Sequence, residues 1–140
     1  MYIIGLGCDR DTAAASIATA VMQSLAEAGV SPAAISAAAT IDKKADEAGL
    51  LSFCQQQGWP LTFYAATALA QVAVPNPSEV VRRHVGTPAV AEAAALLLAG
   101  ELAGYGTALA AQYLFIEKAR YRDAAGRNVT VSLVKFDGKE

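Results

Sequence analysis

The densest group of charges in this sequence is the charged segment, residues 42–47, which reads Asp-Lys-Lys-Ala-Asp-Glu. Five of its six residues are charged, whereas charged residues make up only 17% of the whole chain. A lysine ammonium group can bind a carboxylate, and a carboxylate can accept protons from amides or ring nitrogens. We therefore expect a binding site here, in which Lys43 or Lys44 holds an anionic group of the ligand. The acids that can accept such protons, or shift the pKa of a lysine, are Asp42, Asp46 and Glu47.

The acids of the charged segment also have a structural explanation. If a helix starts at about residue 45, Asp46 and Glu47 lie in its first turn, where the helix dipole stabilises negative charge. The lysines do not fit this explanation, because positive charge at a helix N-terminus is unfavourable unless a partner offsets it. We therefore expect a negatively charged partner for Lys43 or Lys44.

Residues 5–12 are a second candidate site, because Gly5 and Gly7 lie at the end of a short apolar run that predicts a buried strand entering a turn. Where a strand turns into a helix, backbone amides and the helix dipole attract a carboxylate or phosphate. Arg10 stands where a dinucleotide-binding fingerprint has its third glycine, and the Walker pattern is absent, so no cofactor is predicted. The alternative is that the two glycines only make the turn.

Cys8 is the candidate nucleophile of this segment, since Arg10 and the start of a helix both favour a thiolate. A nucleophilic cysteine also needs a base, and the single histidine, His84, is distant in the sequence. His84 follows two arginines on a predicted short helix, which indicates a solvated basic end of that helix. Cys8 is thus either half of a Cys–His pair assembled by the fold or a packed or accessible thiol.

Glu92 is the one ionisable residue between Thr87 and Gly100, which are the predicted cap and end of an apolar helix. A carboxylate among alanines on a buried helix destabilises the fold strongly if it has no partner. Glu92 must therefore be exposed, paired or functional. We expect it to pair with Lys43 or Lys44.

These groups are positioned by a predicted α/β fold with a small mixed, mostly parallel sheet, flanking helices and a C-terminal antiparallel hairpin. A first strand and a crossover helix require a second parallel strand, which puts the charged segment at its carboxyl end. Asp11 or Thr12 is expected to cap the first helix, and Gly29 to end it. The predicted strands are 2–7, 35–41, 61–64, 109–117 and 128–136; the predicted helices are 13–28, 45–57, 65–71, 78–83 and 87–100.

Length and composition exclude several classes of protein. A chain of 140 residues predicts a single domain, residues 1–140. Its 11 basic and 13 acidic residues give a net charge of −2, without the basic face that nucleic-acid binding requires. No apolar stretch approaches the roughly 20 residues that span a bilayer, so we expect a cytoplasmic protein. Two cysteines without paired-ligand spacing argue against a disulfide framework or a metal site.

Four segments of the sequence, in order, resemble the CobE family, which also occurs as the C-terminal domain of CbiG in cobalamin biosynthesis. The resemblance covers nearly the whole chain. It implies an α/β domain that acts on or around methylated precorrin and hydrogenobyrinic-type macrocycles. The four segments are Gly5-x-Gly7-Cys8, Ile41-Asp42-x-Lys44-x-Asp46-Glu47-x-Gly49-Leu50, Ser78-Glu79-Val80-Val81 and Gly86-x-x-x-Val90-Ala91-Glu92-Ala93-Ala94-Ala95.

The resemblance leaves three kinds of function open. An accessory protein that holds a corrinoid or precorrin intermediate needs a groove and cations, and this is the favoured interpretation. The fused CbiG proteins are associated with hydrolytic opening of a lactone in cobalt-precorrin-5A, which a lysine and carboxylate pair can assist as acid and base. Because no partner domain precedes residue 1 here, we expect the stand-alone CobE type of the aerobic pathway. The third function is a scaffolding subunit for other cobalamin-pathway enzymes.

A corrin intermediate carries acetate and propionate groups around a flat apolar ring, so its binder needs amides, cations and an apolar surface. Tyr105 or Tyr113 can supply part of that surface. The terminal hairpin offers a strand edge through which a homodimer can form. The predicted substrate-binding residues are Gly5, Gly7, Cys8, Arg10, Asp42, Lys44, Asp46, Glu47 and Glu92.

Overall fold

The computed structural model describes residues 1–72 and 90–137. These residues form strands and helices in the order that the sequence predicts. The strands are β1 (Tyr2–Cys8), β2 (Ile35–Ile41), β3 (Leu61–Tyr64), β4 (Leu114–Arg122) and β5 (Asn128–Lys135). The α-helices are α1 (Ala14–Ala28), α2 (Ala48–Gln57), α3 (Ala66–Ala70) and α4 (Val90–Leu102).

The strands form one mixed sheet in the order β3-β2-β1-β5-β4. β1, β2 and β3 are parallel, while β5 runs antiparallel to both β1 and β4. This is the α/β fold with a C-terminal antiparallel hairpin that the sequence predicts. No helix in residues 1–72 or 90–137 is both long enough and apolar enough to cross a membrane.

Helices cover the two faces of the sheet. Ile4 and Leu6 of β1 belong to a core shared with α1 and α2, whereas Ile3 belongs to a core shared with α4. Successive side chains of a strand point to opposite faces, so the even-numbered residues of β1 face α1 and the odd-numbered ones face α4. Cys8 consequently lies on the α1 side, and Gly7 lies on the α4 side.

Gly5 allows α4 to pack directly onto the middle of β1. A Cβ atom at this position would overlap the carbonyl of Ala91 and would lie 3.0 Å from the Cβ of Ala95. Gly5 is buried in the strand, so the prediction that it lies in the turn after the strand is wrong. The strand continues to Cys8, and the turn begins only after it.

Several predicted element ends are corrected by local interactions. α1 follows Ala13, whose side chain cannot cap it, and the hydroxyl of Thr12, a predicted cap, donates to the carbonyl of Asp9 at 2.7 Å instead. α2 starts later than expected because residues 42–44 form a 3-10 turn. β4 is likewise preceded by a 3-10 turn, at residues 111–113, so it begins and ends five residues later than predicted.

Two helix ends contrast with each other. Gly29 ends α1 in a left-handed conformation, with φ of 73°, as predicted. Gly100 was expected to end the last helix, but it lies inside α4, where a Cβ atom would overlap the carbonyl of Thr107. The predicted helix at 78–83, His84 and Thr87 lie outside the described residues.

The outer strand β4 is irregular. Its register against β5 shifts between Leu114 and Ile116, and again between Ile116 and Ala119. From Ala119 to Arg122 the pairing is regular. Two irregularities within nine residues increase the local twist of this strand.

Substituting Gly5 by alanine should reduce the free energy of unfolding by about 1–3 kcal/mol, because the added methyl group must displace the first turn of α4. Equilibrium unfolding in urea measures this loss. Gly7→Ala is the matched control in the same strand, since its Cβ atom would meet the Thr130 Cβ at an ordinary 3.8 Å. Equal stability of the two variants would show that the close approach of α4 is unimportant.

Candidate functional site

The loop after β1 and the charged segment after β2 meet at the carboxyl edge of the sheet. The Nη1 atom of Arg10 lies 2.9 Å from the Oδ1 atom of Asp46 and 3.0 Å from the Oε1 atom of Glu47. The same nitrogen donates to the carbonyl oxygen of Lys43 at 3.3 Å. The structure thus brings together the two segments that the sequence singles out.

Glu47 is the buried member of this group, with 2% of its side chain exposed. Its Oε2 atom accepts a hydrogen bond from the backbone N–H of Asp11 at 3.1 Å. Asp11 has a φ of 64°, a left-handed conformation that aspartate adopts more readily than most residues. Glu47 therefore holds the β1–α1 loop in place, and its carboxylate lies inside the protein.

Arg10 and Asp46 are exposed but already paired with each other. The hydrogen bond and charge of Arg10 lower the pKa of the Asp46 carboxyl group. The hydrogen bond to Asp46 in turn raises the pKa of Arg10. Both groups are charged at neutral pH, so a ligand at Arg10 must compete with two carboxylates.

Lys43 and Lys44 differ from Arg10 in their ion pairs. Among the described residues, no carboxylate forms an ion pair with either ammonium group. Lys44 is half-buried, whereas Lys43 and Asp42 are exposed. The 3-10 turn at residues 42–44 therefore carries two lysines that form no ion pair within residues 1–72 and 90–137.

Cys8 ends β1 close to Lys44. Burial raises the pKa of the Cys8 thiol, and the nearby Lys44 ammonium group offsets this effect only in part. The thiol is protonated at neutral pH, and the single histidine of the chain lies outside the described residues. The contacts of Cys8 thus do not favour a thiolate nucleophile.

Glu92 does not pair with Lys43 or Lys44, so that prediction is wrong. Its Oε1 atom lies 3.4 Å from the Nζ atom of Lys118 in β4. The physical reason is the order of the strands: β1 and β5 separate β2, which carries the lysines, from β4. The predicted strand ends at residue 117, so the sequence pattern does not place Lys118 on a strand, whereas β4 extends to Arg122.

The environment of Glu92 is unusual. The side chain is fully buried, and neither carboxylate oxygen accepts a hydrogen bond from the described residues. Burial raises the pKa of Glu92, although the charge of Lys118 lowers it and so offsets part of the rise. Burial of an acid destabilises the fold unless a partner offsets it, and among the described residues Lys118 is that partner.

The strand order provides an independent indication of where a ligand binds. The chain adds β2 and β3 on one side of β1, and then places β5 and β4 on the other side. In open α/β sheets, ligands bind outside the carboxyl ends of strands where the order reverses in this way. That point lies at the end of β1, beside Cys8 and Lys44.

No cluster of His, Cys, Asp and Glu suited to a metal ion occurs in residues 1–72 and 90–137.

Comparison with known proteins gives the family. Residues 2–134 match the family described as "Cobalamin synthesis G C-terminus". The chain belongs to this family. Its resemblance to CobE and to the C-terminal domain of CbiG is thereby confirmed, and with it the connection to cobalamin synthesis.

Two curated relatives of this CbiG C-terminal family member are informative. The cobalt-precorrin-5A hydrolase of Priestia megaterium is 38% identical over 97 residues, which are 69% of this chain and 26% of the hydrolase. Protein CobE of Sinorhizobium sp is 39% identical over 100 residues, which are 70% of this chain and 65% of that protein. The matched segment is thus less than two thirds of either relative.

Solved structures of the family share the fold. The crystal structure of CobE, from the cobalamin biosynthetic pathway, matches with a TM-score of 0.76 and 30% identity, covering 100% of this chain and 93% of that one. The cobalamin biosynthesis protein chiG of Agrobacterium tumefaciens matches with a TM-score of 0.62 and 28% identity, covering 97% of this chain and 100% of that one.

The pKa of Glu92 predicts how stability changes with pH. A carboxyl group whose pKa is raised by folding contributes stability fully below its ordinary pKa and loses it as pH rises through the raised value. The free energy of unfolding should therefore fall as pH rises above the ordinary glutamate range, and Glu92→Gln should remove this fall. Urea unfolding across the pH range tests it, with the exposed Glu27→Gln as the control. A Glu92→Gln profile parallel to that of the parent protein would contradict it.

The proximity of Lys44 and Cys8 predicts the reactivity of the thiol. In a Cys54→Ser background, the rate of Cys8 alkylation should rise with pH through a midpoint above that of an ordinary cysteine. Lys44→Ala should move this midpoint higher still, because it removes a charge that favours the thiolate. Lys43→Ala is the control from the same turn. A midpoint below the ordinary value would revive Cys8 as a nucleophile.

Proposed function

We propose that this protein binds a carboxylate-bearing corrin intermediate of cobalamin synthesis at the carboxyl ends of β1 and β2. In this role it is an accessory protein of the cytoplasm that holds the intermediate or passes it to another enzyme of the pathway. The observation that carries the proposal is the pair of lysines, Lys43 and Lys44, which have no acidic partner among the described residues.

The chemistry of such a ligand suits this edge of the sheet. Acetate and propionate groups around the macrocycle provide carboxylates that can pair with the two lysines. A charge-assisted hydrogen bond contributes roughly 1.5–3 kcal/mol, so a few such contacts give useful affinity. Arg10 is engaged by Asp46 and Glu47, which leaves Lys44, half-buried beside Cys8, as the main ligand contact.

The hydrolase of Priestia megaterium suggests lactone opening as another function, but that relative is matched over only 26% of its length. A hydrolase needs a nucleophile or a base that can activate water. Burial raises the pKa of Cys8, and Glu47 is fixed by Asp11 and Arg10. These contacts favour binding over hydrolysis.

Replacing Lys44 by alanine should weaken the binding of hydrogenobyrinic acid by about tenfold to a hundredfold, because one charge-assisted contact is lost. Titration followed by the visible absorption of the corrinoid measures the dissociation constant. Lys135→Ala is the matched control, since Lys135 pairs with Tyr2 at the opposite end of β1 and its loss changes the net charge equally.

The outcomes of this titration separate the candidate functions. Tight retention of the corrinoid without chemical change supports the accessory protein. Conversion of a lactone-bearing intermediate would instead support the enzyme. A parent protein that binds no corrinoid, or equal affinities for Lys44→Ala and Lys135→Ala, would overturn the proposed site.

A further inference from the structure

One row of the sheet is polar on the face that α4 otherwise covers with apolar side chains. Gly7 of β1 pairs with Thr130 of β5, and Thr130 pairs with Arg120 of β4. Paired residues of neighbouring strands lie side by side on one face of the sheet. We call Gly7, Thr130 and Arg120 the polar row.

The cores of the protein fix the side of the sheet to which the polar row belongs. Val129 and Val131 point into the core shared with α1, and Ala119 and Tyr121 pack against that same core. Thr130 and Arg120 lie between these residues in their strands, so they face the α4 side. Lys118, two residues before Arg120, faces the same side and reaches Glu92.

The described residues leave space beside the polar row for a ligand group. A Cβ atom at Gly7 would find the Cβ of Thr130 at 3.8 Å and no other atom of the described residues within 4 Å. Gly7 and Thr130 are half-buried and Arg120 is exposed. Arg120 forms no ion pair within the described residues.

Glu92 supplies a second and independent observation at this place. Its carboxyl group is fully buried, lacks hydrogen bonds from the described residues, and feels the charges of Lys118, Glu117 and Arg120. Lys118 is engaged by Glu92, whereas Arg120 has no ion pair among the described residues. Arg120 is therefore the cation of this place that can bind an anion.

We propose that the polar row, together with Glu92 and Lys118, is a second carboxylate subsite. The proposal rests on the corrinoid-binding function and extends it: one carboxylate of the ligand binds Lys44 on the α1 side of β1, and another binds Arg120 on the α4 side. The ligand then lies across the end of β1. Two strand spacings separate β1 from β4, about 10 Å, and the long Arg120 side chain spans part of that distance.

The first test compares two arginines of β4. Arg120→Ala should weaken the binding of hydrogenobyrinic acid by about tenfold to a hundredfold, as expected for one charge-assisted contact. Arg122→Ala is the matched control, because it removes the same charge from the same strand. The side chain of Arg122 lies beside the hairpin turn, where its Nη2 atom would be 3.8 Å from a Cβ atom added to Gly126. It should stay within about twofold of the parent protein.

A second ligand tests the chemistry of the contact. Dicyanocobinamide carries amides in place of the ring carboxylates, so Arg120→Ala should change its dissociation constant much less than that of hydrogenobyrinic acid. A loss of equal size for both ligands would show that Arg120 does not bind a carboxylate. Equal affinity of Arg120→Ala and Arg122→Ala, with Lys44→Ala still impaired, would overturn the subsite and leave the proposed function intact.

The subsite can also be tested without any corrinoid. Sodium propionate titrated into isotopically labelled protein should shift the backbone amide signals of Gly7, Thr130 and Ser132, and Arg120→Ala should abolish these shifts. Such shifts in a protein that binds no corrinoid would support the subsite and reject the larger function. Absence of these shifts in the parent protein would overturn the subsite itself.

Discussion

The buried carboxylate of Glu47 is the interaction on which the candidate site depends. It accepts a hydrogen bond from the backbone N–H of Asp11 and forms an ion pair with Arg10. These contacts connect the loop after β1 to the segment after β2. Parallel strands place these loops at one edge of the sheet, but they do not fix the distance between them. Glu47 supplies that fixation, and the position of Lys44 beside Cys8 follows from it.

The sequence predicts the fold well because the pattern of its elements restricts the topology. Residues 35–41 are rich in alanine and have weak strand preference, yet they form β2 with the predicted bounds. The need for a parallel strand after the first crossover outweighed local preference. Glycines were interpreted less well: Gly5 and Gly100 are not turn or end residues, because each lies where another part of the backbone packs against it.

The candidate site was only partly predictable, since spacing shows which residues are near in sequence and not which are near across the sheet. The meeting of Arg10 with Asp46 and Glu47 follows from strands that are neighbours in both sequence and space. Glu92 meets Lys118 through a helix that packs on one face of the sheet and a strand two places from β1. Alternation in β4 indicates that Lys118 and Arg120 share a face of the sheet. The packing of α4 on that face is what places Glu92 beside Lys118.

The irregular pairing of β4 has a consequence for the behaviour of the protein in concentrated solution. A long outer strand is a template on which a neighbouring molecule can extend the sheet. The register shifts at Leu114–Ile116 and Ile116–Ala119 bend and twist this strand, so an incoming flat strand can follow it for only a few residues. The twist of this outer strand therefore opposes extension of the sheet by a neighbouring molecule.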